Sequence, residues 1–96
     1  MKPSEALEAN RLEVRRAAQR FKTANPRVFG SVVQGKDRDG SDLDWLVDPL
    51  PGMTLFDLGG LQIELEERLG VPVDLLTPGD LPPGFREEVL SEAVPV

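Results

Sequence analysis

The first apolar residues of the chain recur at intervals of seven, four and three positions. This spacing returns to one face of a helix and predicts a helix over residues 4–24. The residues on this stripe are Leu7, Val14, Ala18 and Phe21. Ser4 is suited to be the N-cap, and Pro26 ends the helix because the residue before a proline avoids the helical conformation.

Three shorter stretches have the apolar character of strands. Val28-Phe29 is a short run that leads into a sharp turn at Gly30-Ser31. Residues 42–47 alternate in polarity, and 71–76 form a third apolar stretch. Because successive side chains of a strand point to opposite faces, the second stretch is expected to have Leu43, Trp45 and Val47 on one face and Asp42, Asp44 and Leu46 on the other.

Two more helices follow from the remaining pattern. Over 54–69 the leucines recur at three and four, Thr54 with Asp57 resembles a capping box, and Gly70 is a typical stop. A shorter helix is expected over 85–93, where Phe85, Val89 and Ala93 are spaced by four. The leucines of the longer helix are Leu58, Leu61, Leu65 and Leu69. The order predicts an α/β fold, a small mixed β-sheet backed by helices, in a single domain over 1–96.

Composition restricts the chemistry that this chain can perform. The 96 residues include no cysteine and no histidine. This excludes disulfides, thiol nucleophiles, zinc–thiolate sites and any Ser-His-Asp triad. A bound metal would have to be held by oxygen, which favours hard cations such as Mg²⁺.

The charge is distributed unevenly. Residues 1–36 hold eight Lys and Arg against three Asp and Glu, whereas the net charge of the whole chain is −6. A net negative charge disfavours direct nucleic-acid binding, because neutralised phosphates dominate that affinity. The chain begins without an apolar signal region and has no apolar run of membrane-spanning length, so a cytoplasmic protein without membrane association is expected.

The most specific feature combines Gly30-Ser31 with Asp42-Leu43-Asp44 about ten residues later. Two aspartates at i and i+2 in a strand project from the same face, where their repulsion favours a shared cation. Gly30 lets the backbone approach a bulky anion, and Ser31 offers a hydroxyl and backbone N–H groups to a phosphate. Asp74, on the next strand, is a candidate third metal ligand or proton acceptor. Each motif alone is typical of a solvated strand or turn, but together they favour phosphoryl or nucleotidyl transfer assisted by metals.

The runs 28–35 and 40–47 resemble the polymerase-beta-like nucleotidyltransferase superfamily. Its motif is Gly-Ser, about ten residues, Asp-x-Asp and a later acidic residue. The short chain and its ending from Asp80 to Leu90 are similar to the minimal nucleotidyltransferases, which act as antitoxins beside a helical HEPN toxin. The resemblance covers residues 27–96 and implies the nucleotidyltransferase (polymerase-beta-like) fold.

The resemblance also implies roles for named residues. Asp42, Asp44 and Asp74 would be the catalytic residues and would bind two Mg²⁺ ions. The nucleotide-binding residues would be Gly30, Ser31, Gly35 and Ser41. ATP would be the substrate, and AMP would move to a hydroxyl on a HEPN-family partner protein.

One position departs from the family pattern. The minimal family has Ala-Arg-Gly where this chain has Val33-Gln34-Gly35, and Gln34 offers a neutral amide in place of a charged guanidinium. Lys36 or Arg38 are candidates to replace that charge. The alternative interpretation is an inactive or weakly active nucleotidyltransferase fold that neutralises its partner by occlusion.

Overall fold

The structure, a computed structural model, describes residues 1–96 and contains a four-stranded mixed sheet in the order β3-β2-β1-β4. The strands are β1 (Thr23–Phe29), β2 (Leu43–Pro49), β3 (Val73–Leu76) and β4 (Val94–Pro95). The helices are α1 (Pro3–Ala9), α2 (Arg11–Arg20), α3 (Leu55–Leu69) and α4 (Pro83–Glu92). Short 3₁₀ turns cover Gly30–Val32 and Pro78–Asp80. β2 pairs antiparallel with β1 and parallel with β3, so the predicted α/β class with a mixed sheet is confirmed.

The single helix predicted over 4–24 is wrong, because two helices meet at Asn10. The Asn10 backbone leaves the helical region (φ −130°, ψ 21°), and its side-chain Nδ2 donates to the Ala6 carbonyl at 2.8 Å. Asparagine side chains compete with the backbone for such bonds, which favours a break at this residue. Ser4 is not the N-cap either, since Lys2 occupies that position and Pro3 is the first helical residue.

The first strand begins earlier than the sequence predicts. Lys22 adopts a left-handed conformation (φ 58°) that ends the helical path, and Thr23 enters β1 with its hydroxyl donating to the Ala18 carbonyl at 2.9 Å. A register shift between Ala24 and Arg27 then bends the strand. Residues 23–26 are therefore strand and not the end of a helix.

Other boundaries differ by smaller amounts. The second strand continues to Pro49 instead of ending at Val47, and the third begins at Val73 instead of Val71. β4, which pairs with β1 through Val94, was not predicted. The last helix buries no residue, so the spacing of Phe85, Val89 and Ala93 does not mark a core-facing side there.

One face of the sheet carries the hydrophobic core. Leu43, Trp45 and Val47 are each at most 1% exposed and pack in one cluster with α1, α2 and α3, as the alternation predicts. The predicted capping box of α3 is confirmed, since Asp57 N–H donates to Thr54 Oγ1 at 3.2 Å and the Thr54 N–H donates to the Asp57 carboxylate at 2.9 Å. The opposite face of the sheet carries Asp44 and Asp74 together with the fully buried Leu46 and with Leu76 and Phe29.

A buried carboxylate ties the loop between β1 and β2 to helix α1. Asp37 is 8% exposed, and its Oδ2 accepts the Ser4 backbone N–H at 2.9 Å. Hydrogen bonds from the Ser4 backbone and hydroxyl lower the pKa of Asp37 below its ordinary value. This contribution to stability is present above the unfolded pKa and is lost as pH falls through the lower folded pKa.

We expect Asp37→Asn to lower the free energy of unfolding by about 1–2 kcal/mol at pH 7, because a charge-assisted hydrogen bond becomes a neutral one. Urea denaturation at pH 7 and below pH 3 measures the free energy of unfolding. The difference in this free energy between the variant and wild type should shrink at the lower pH. Asp39→Asn is the matched control, since the Asp39 side chain is 80% exposed and pairs only with the N-terminal amine. Equal effects of the two substitutions at pH 7 would contradict the role of Asp37.

Candidate active site

Two of the predicted aspartates lie side by side on neighbouring strands. The parallel register of β2 and β3 pairs Asp44 with Asp74 directly. Both residues are out of phase with the buried Leu43, Trp45 and Val73, so they project from the face opposite the core. Asp44 is half-buried and Asp74 is exposed.

Asp42 adds a third carboxylate at the start of the same strand. It is exposed, and it precedes β2 by one residue. The pKa of Asp44 is raised, first because burial disfavours its charged form and then because the negative charges of Asp74 and Asp42 repel it. The fold therefore brings the three predicted carboxylates within electrostatic range of one another.

These carboxylates form an open arrangement. No group of three or more His, Cys, Asp or Glu side chains is close enough to hold a metal ion by itself. The donors are nevertheless all oxygen, and their mutual repulsion would be relieved by a cation. Mg²⁺ commonly uses one or two carboxylates and keeps water or substrate oxygens as its other ligands, so this open donor set fits such an ion.

Gly30 brings the end of β1 against Asp44. Phe29 pairs with Asp44 across the two strands, and the chain then turns at Gly30 with φ +76°. A Cβ atom at Gly30 would lie 2.3 Å from Asp44 Oδ2, so only glycine allows this approach. Ser31, the next residue of the 3₁₀ turn, is half-buried beside the same carboxylate region.

The other two predicted nucleotide-binding residues shape the loop that follows. Gly35 has φ +71° and follows the 3₁₀ turn. Ser41 Oγ accepts the Arg38 N–H at 2.9 Å, and its own N–H donates to the Arg38 carbonyl at 3.0 Å. Ser41 thus closes the loop immediately before Asp42, while its hydroxyl proton stays free to donate.

Gln34, the residue that departs from the family pattern, is engaged with helix α4. Its Nε2 donates to Glu92 Oε1 at 3.0 Å, and both groups lie at the surface. A guanidinium placed at position 34 would therefore have the Glu92 carboxylate within reach. The functional meaning of Gln34 therefore depends on Glu92.

Sequence reasoning missed a cation on the same face of the sheet. Arg27 is only 13% exposed in its side chain, and its Nη2 donates to Asp48 Oδ1 at 2.6 Å. The Nε atom of Arg27 is buried without a partner. Because this ion pair neutralises Asp48, the unpaired negative charge is left at Asp44 in β2 and at Asp42 just before it. Phe29 pairs with Asp44, and Arg27 lies two residues before Phe29 in β1, so strand alternation places Arg27 on the same face. This alternation is the signal that could have identified Arg27 from the sequence.

Comparison with known proteins identifies the family over most of the chain. The family described as the nucleotidyltransferase domain matches residues 13–96. The protein adenylyltransferase MntA of Thermococcus cleftensis is 38% identical over 88 residues, which cover 92% of this chain and 86% of that protein. A Methanocaldococcus jannaschii protein provisionally named as a protein adenylyltransferase is 42% identical over 69 residues, or 72% of this chain and 74% of that protein.

Solved structures share the fold. A structure provisionally described as a minimal nucleotidyltransferase is 44% identical, has a TM-score of 0.87 and covers 97% of this chain and 95% of its own. A toxin–antitoxin structure with AMP-PNP has a TM-score of 0.74 at 20% identity, covering 90% of this chain and 71% of its own. At that identity the second likeness concerns the fold alone.

No helix combines the length and the apolar character that crossing a bilayer requires.

Proposed function

Because the chain belongs to the nucleotidyltransferase domain family, and within it to the minimal nucleotidyltransferases, we propose that it transfers AMP from ATP to a hydroxyl on a partner protein. The observation that carries the proposal is the pairing of Asp44 with Asp74, with Gly30 in contact with Asp44. This arrangement combines a carboxylate pair with a backbone segment that a triphosphate can approach. In this proposal the site and the transferase activity occupy residues 30–74 of one domain, 1–96.

Each residue has a distinct role in the proposed reaction. Asp42, Asp44 and Asp74 would hold two Mg²⁺ ions, whose chemistry is to neutralise the triphosphate and polarise the α-phosphorus. Gly30 lets the triphosphate approach the backbone, and the Ser31 hydroxyl donates to a phosphate oxygen. The acceptor oxygen forms a bond to the α-phosphorus while the bond to the bridging β-phosphate oxygen breaks, and pyrophosphate leaves.

The proton of the acceptor hydroxyl must go to a nearby base. Asp74 is exposed, carries a carboxylate and lies beside Asp44, so it is the residue that we assign as proton acceptor. Gly35 and Ser41 contribute by shaping the loop and by a hydroxyl that is free to donate to the nucleotide. Once ATP and Mg²⁺ are bound, the reaction also needs an acceptor hydroxyl placed above this face of the sheet.

The acceptor would be presented by another protein. Asp42 and Asp74 are exposed, which leaves room for a side chain from outside. The name of the similar Thermococcus cleftensis protein, protein adenylyltransferase, supports an acceptor on another protein. A HEPN-family toxin is the partner that we propose, with this chain as its antitoxin in the cytoplasm.

The test is to incubate the chain with the protein product of the neighbouring open reading frame, MgCl₂ and ATP labelled at the α-phosphate. We expect label on the partner protein, released pyrophosphate, and no label when the γ-phosphate carries the isotope. EDTA and Asp74→Asn should each remove the label. Label transfer that survives both treatments would contradict the proposal.

A second candidate function is neutralisation by occlusion without transfer. The observation that favours it is Gln34, whose amide is bound to Glu92 and adds no charge toward a nucleotide. If the Asp44→Asn variant binds and neutralises the toxin as well as wild type does, and no label is transferred to the toxin, occlusion is the function.

We expect Gln34→Arg alone to change ATP affinity less than about threefold, because the new guanidinium pairs with Glu92. In a Glu92→Gln background the same change should tighten ATP binding by about tenfold or more, since a charge-assisted bond to phosphate is worth roughly 1.5–3 kcal/mol. Isothermal titration of ATP into the four proteins of this cycle measures the coupling. Equal effects of Gln34→Arg in both backgrounds would show that position 34 does not face the phosphates, and Lys36 and Arg38 would then be tested.

A further inference from the structure

Helix α3 exposes an apolar outer face. Its inner side is buried through Leu61, Leu65 and Leu69, whereas Phe56 is 92% exposed and Ile63 is 59% exposed. Phe56 and Ile63 are seven residues apart, about two helical turns, so they lie on the same side of the helix. The helix is anchored at its start by the Thr54–Asp57 capping box, so Phe56 belongs to an ordered turn.

Two glycines lie between these side chains, and the fold explains only one of them. Glycine inside a helix is destabilising relative to alanine. A Cβ atom at Gly60 would lie 2.7 Å from Phe21 Cε1, so a larger residue there would displace the Phe21 ring. A Cβ atom at Gly59 would have nothing within 4 Å. The open surface at Gly59, between two exposed apolar side chains, is suited to close contact with another helix.

We propose that the α3 helix of a second copy of this chain packs antiparallel on this face, with a two-fold axis between Gly59 and Gly60. Phe56 and Ile63 are equally distant from that point in the sequence. Phe56 of each copy would then pack on Ile63 of the other, and the open surface at Gly59 would let the two backbones approach. Such reciprocal contact, in which each copy offers the same surface to the other, is what an isologous interface requires.

The charges around the helix favour a second copy over an unrelated protein. Glu67 is exposed and makes no ion pair within the chain, and in the antiparallel arrangement it lies toward the turn at residues 50–53 that precedes α3 of the second copy. Lys22, also exposed and unpaired, has its Nζ 3.9 Å from the Cβ position of Gly52. Two symmetric pairs of Glu67 and Lys22 would therefore flank the apolar contact. Glu64 would face the uncharged Leu55, so no like charges would meet.

The interface would be small and the association correspondingly weak. One helix from each copy buries less than the ~800 Å² per partner that stable complexes typically bury, so we expect a dissociation constant on the order of 10 µM. The face is separate from the carboxylate site, because α3 packs on the opposite side of the sheet from Asp44. Dimer formation would leave the carboxylate site accessible in both copies.

Sedimentation velocity of the full chain from about 1 µM to about 1 mM is the first test, since this range brackets the expected constant. Wild type should pass from monomer to dimer, and Phe56→Ser and Gly59→Leu should each raise the dissociation constant by more than tenfold. Leucine favours helix over glycine, so Gly59→Leu separates loss of contact from loss of folding. Phe85→Ser is the matched control, because Phe85 is also 59% exposed but lies on α4.

Cysteine cross-linking tests the orientation, since the chain has no cysteine of its own. Gly59→Cys should give a disulfide-linked dimer on mild oxidation. Ile63→Cys should not, because antiparallel packing separates its two copies by about 10 Å along the helix axis, beyond disulfide reach. A monomer at every concentration, a dimer unaffected by Phe56→Ser and Gly59→Leu, or cross-linking of Ile63→Cys alone would each overturn the proposal. So would a monomeric wild type that loses binding to a different protein when Phe56 is changed.

Discussion

Replacing Asp44 by asparagine should lower the rate of AMP transfer by about a thousandfold or more and leave the metal-free protein at least as stable as wild type. A thousandfold corresponds to about 4 kcal/mol of transition-state stabilisation, a magnitude that loss of a metal-binding carboxylate can supply. The pKa of Asp44 is raised by burial and by the charges of Asp74 and Asp42. The folded state therefore disfavours the ionised carboxylate at pH 7, and asparagine removes that penalty.

The sign of the pH dependence provides a second readout for Asp44. A carboxyl group whose folded pKa is raised destabilises the fold above that pKa, so wild type gains stability from this group as pH falls toward the ordinary aspartate range. Asp44→Asn should remove that gain. Thermal unfolding in EDTA between pH 4 and 8 measures the two curves, and transfer of labelled AMP measures the activity.

Asp48→Asn is the matched control on the same strand. It lies on the same face as Asp44 but pairs with Arg27, whose side chain is mostly buried. Breaking this pair should lower the melting temperature and leave transfer nearly intact, the opposite result to that for Asp44. A wild-type transfer rate in Asp44→Asn would remove this residue from the site.

Gly30→Ala should reduce transfer by about a hundredfold or more and destabilise the fold by about 1–2 kcal/mol. The loss of stability comes from the left-handed backbone at φ +76°, which alanine adopts with strain. The loss of activity comes from Asp44, since the new Cβ would lie 2.3 Å from its Oδ2 and the carboxylate must swing away. Transfer assays and urea denaturation measure the two effects separately.

Gly40→Ala separates the backbone effect from the contact with Asp44. Gly40 also has positive φ, +85°, but a Cβ there would have nothing within 4 Å. It should therefore lose a similar amount of stability while keeping most of its activity. If both alanine variants lost activity equally, the close approach of Gly30 to Asp44 would have no functional meaning.

Local patterns predicted those parts of the fold that local interactions decide. The alternation over 42–47 placed Trp45 in the core and Asp44 on the opposite face, because the two-residue period is a property of any strand. The capping box at Thr54 and the stop at Gly70 were read correctly for the same reason. The break at Asn10 was missed, since apolar spacing continues across it and the break shows only in the backbone angles and side-chain hydrogen bond of that one residue.

Long-range relations could not be predicted from the chain alone. Val28 pairs with Val94, 66 positions away, and nothing near either residue encodes that partner. The motif spacing identified Asp42, Asp44 and Asp74 as candidates, but the parallel register that sets Asp44 beside Asp74 depends on how two strands align. The contact between Gln34 and Glu92 likewise joins residues that are distant in the sequence.

The two outer strands of the sheet have a consequence for aggregation. β4 consists of two residues and ends at Pro95, which has no N–H to offer to an incoming strand, and β3 has only four residues with the exposed Asp74 among them. Short, charged or proline-containing edges are poor templates for further strand pairing. Concentrated solutions of this protein should therefore resist growth of cross-β fibrils, and any assembly should proceed through its helices.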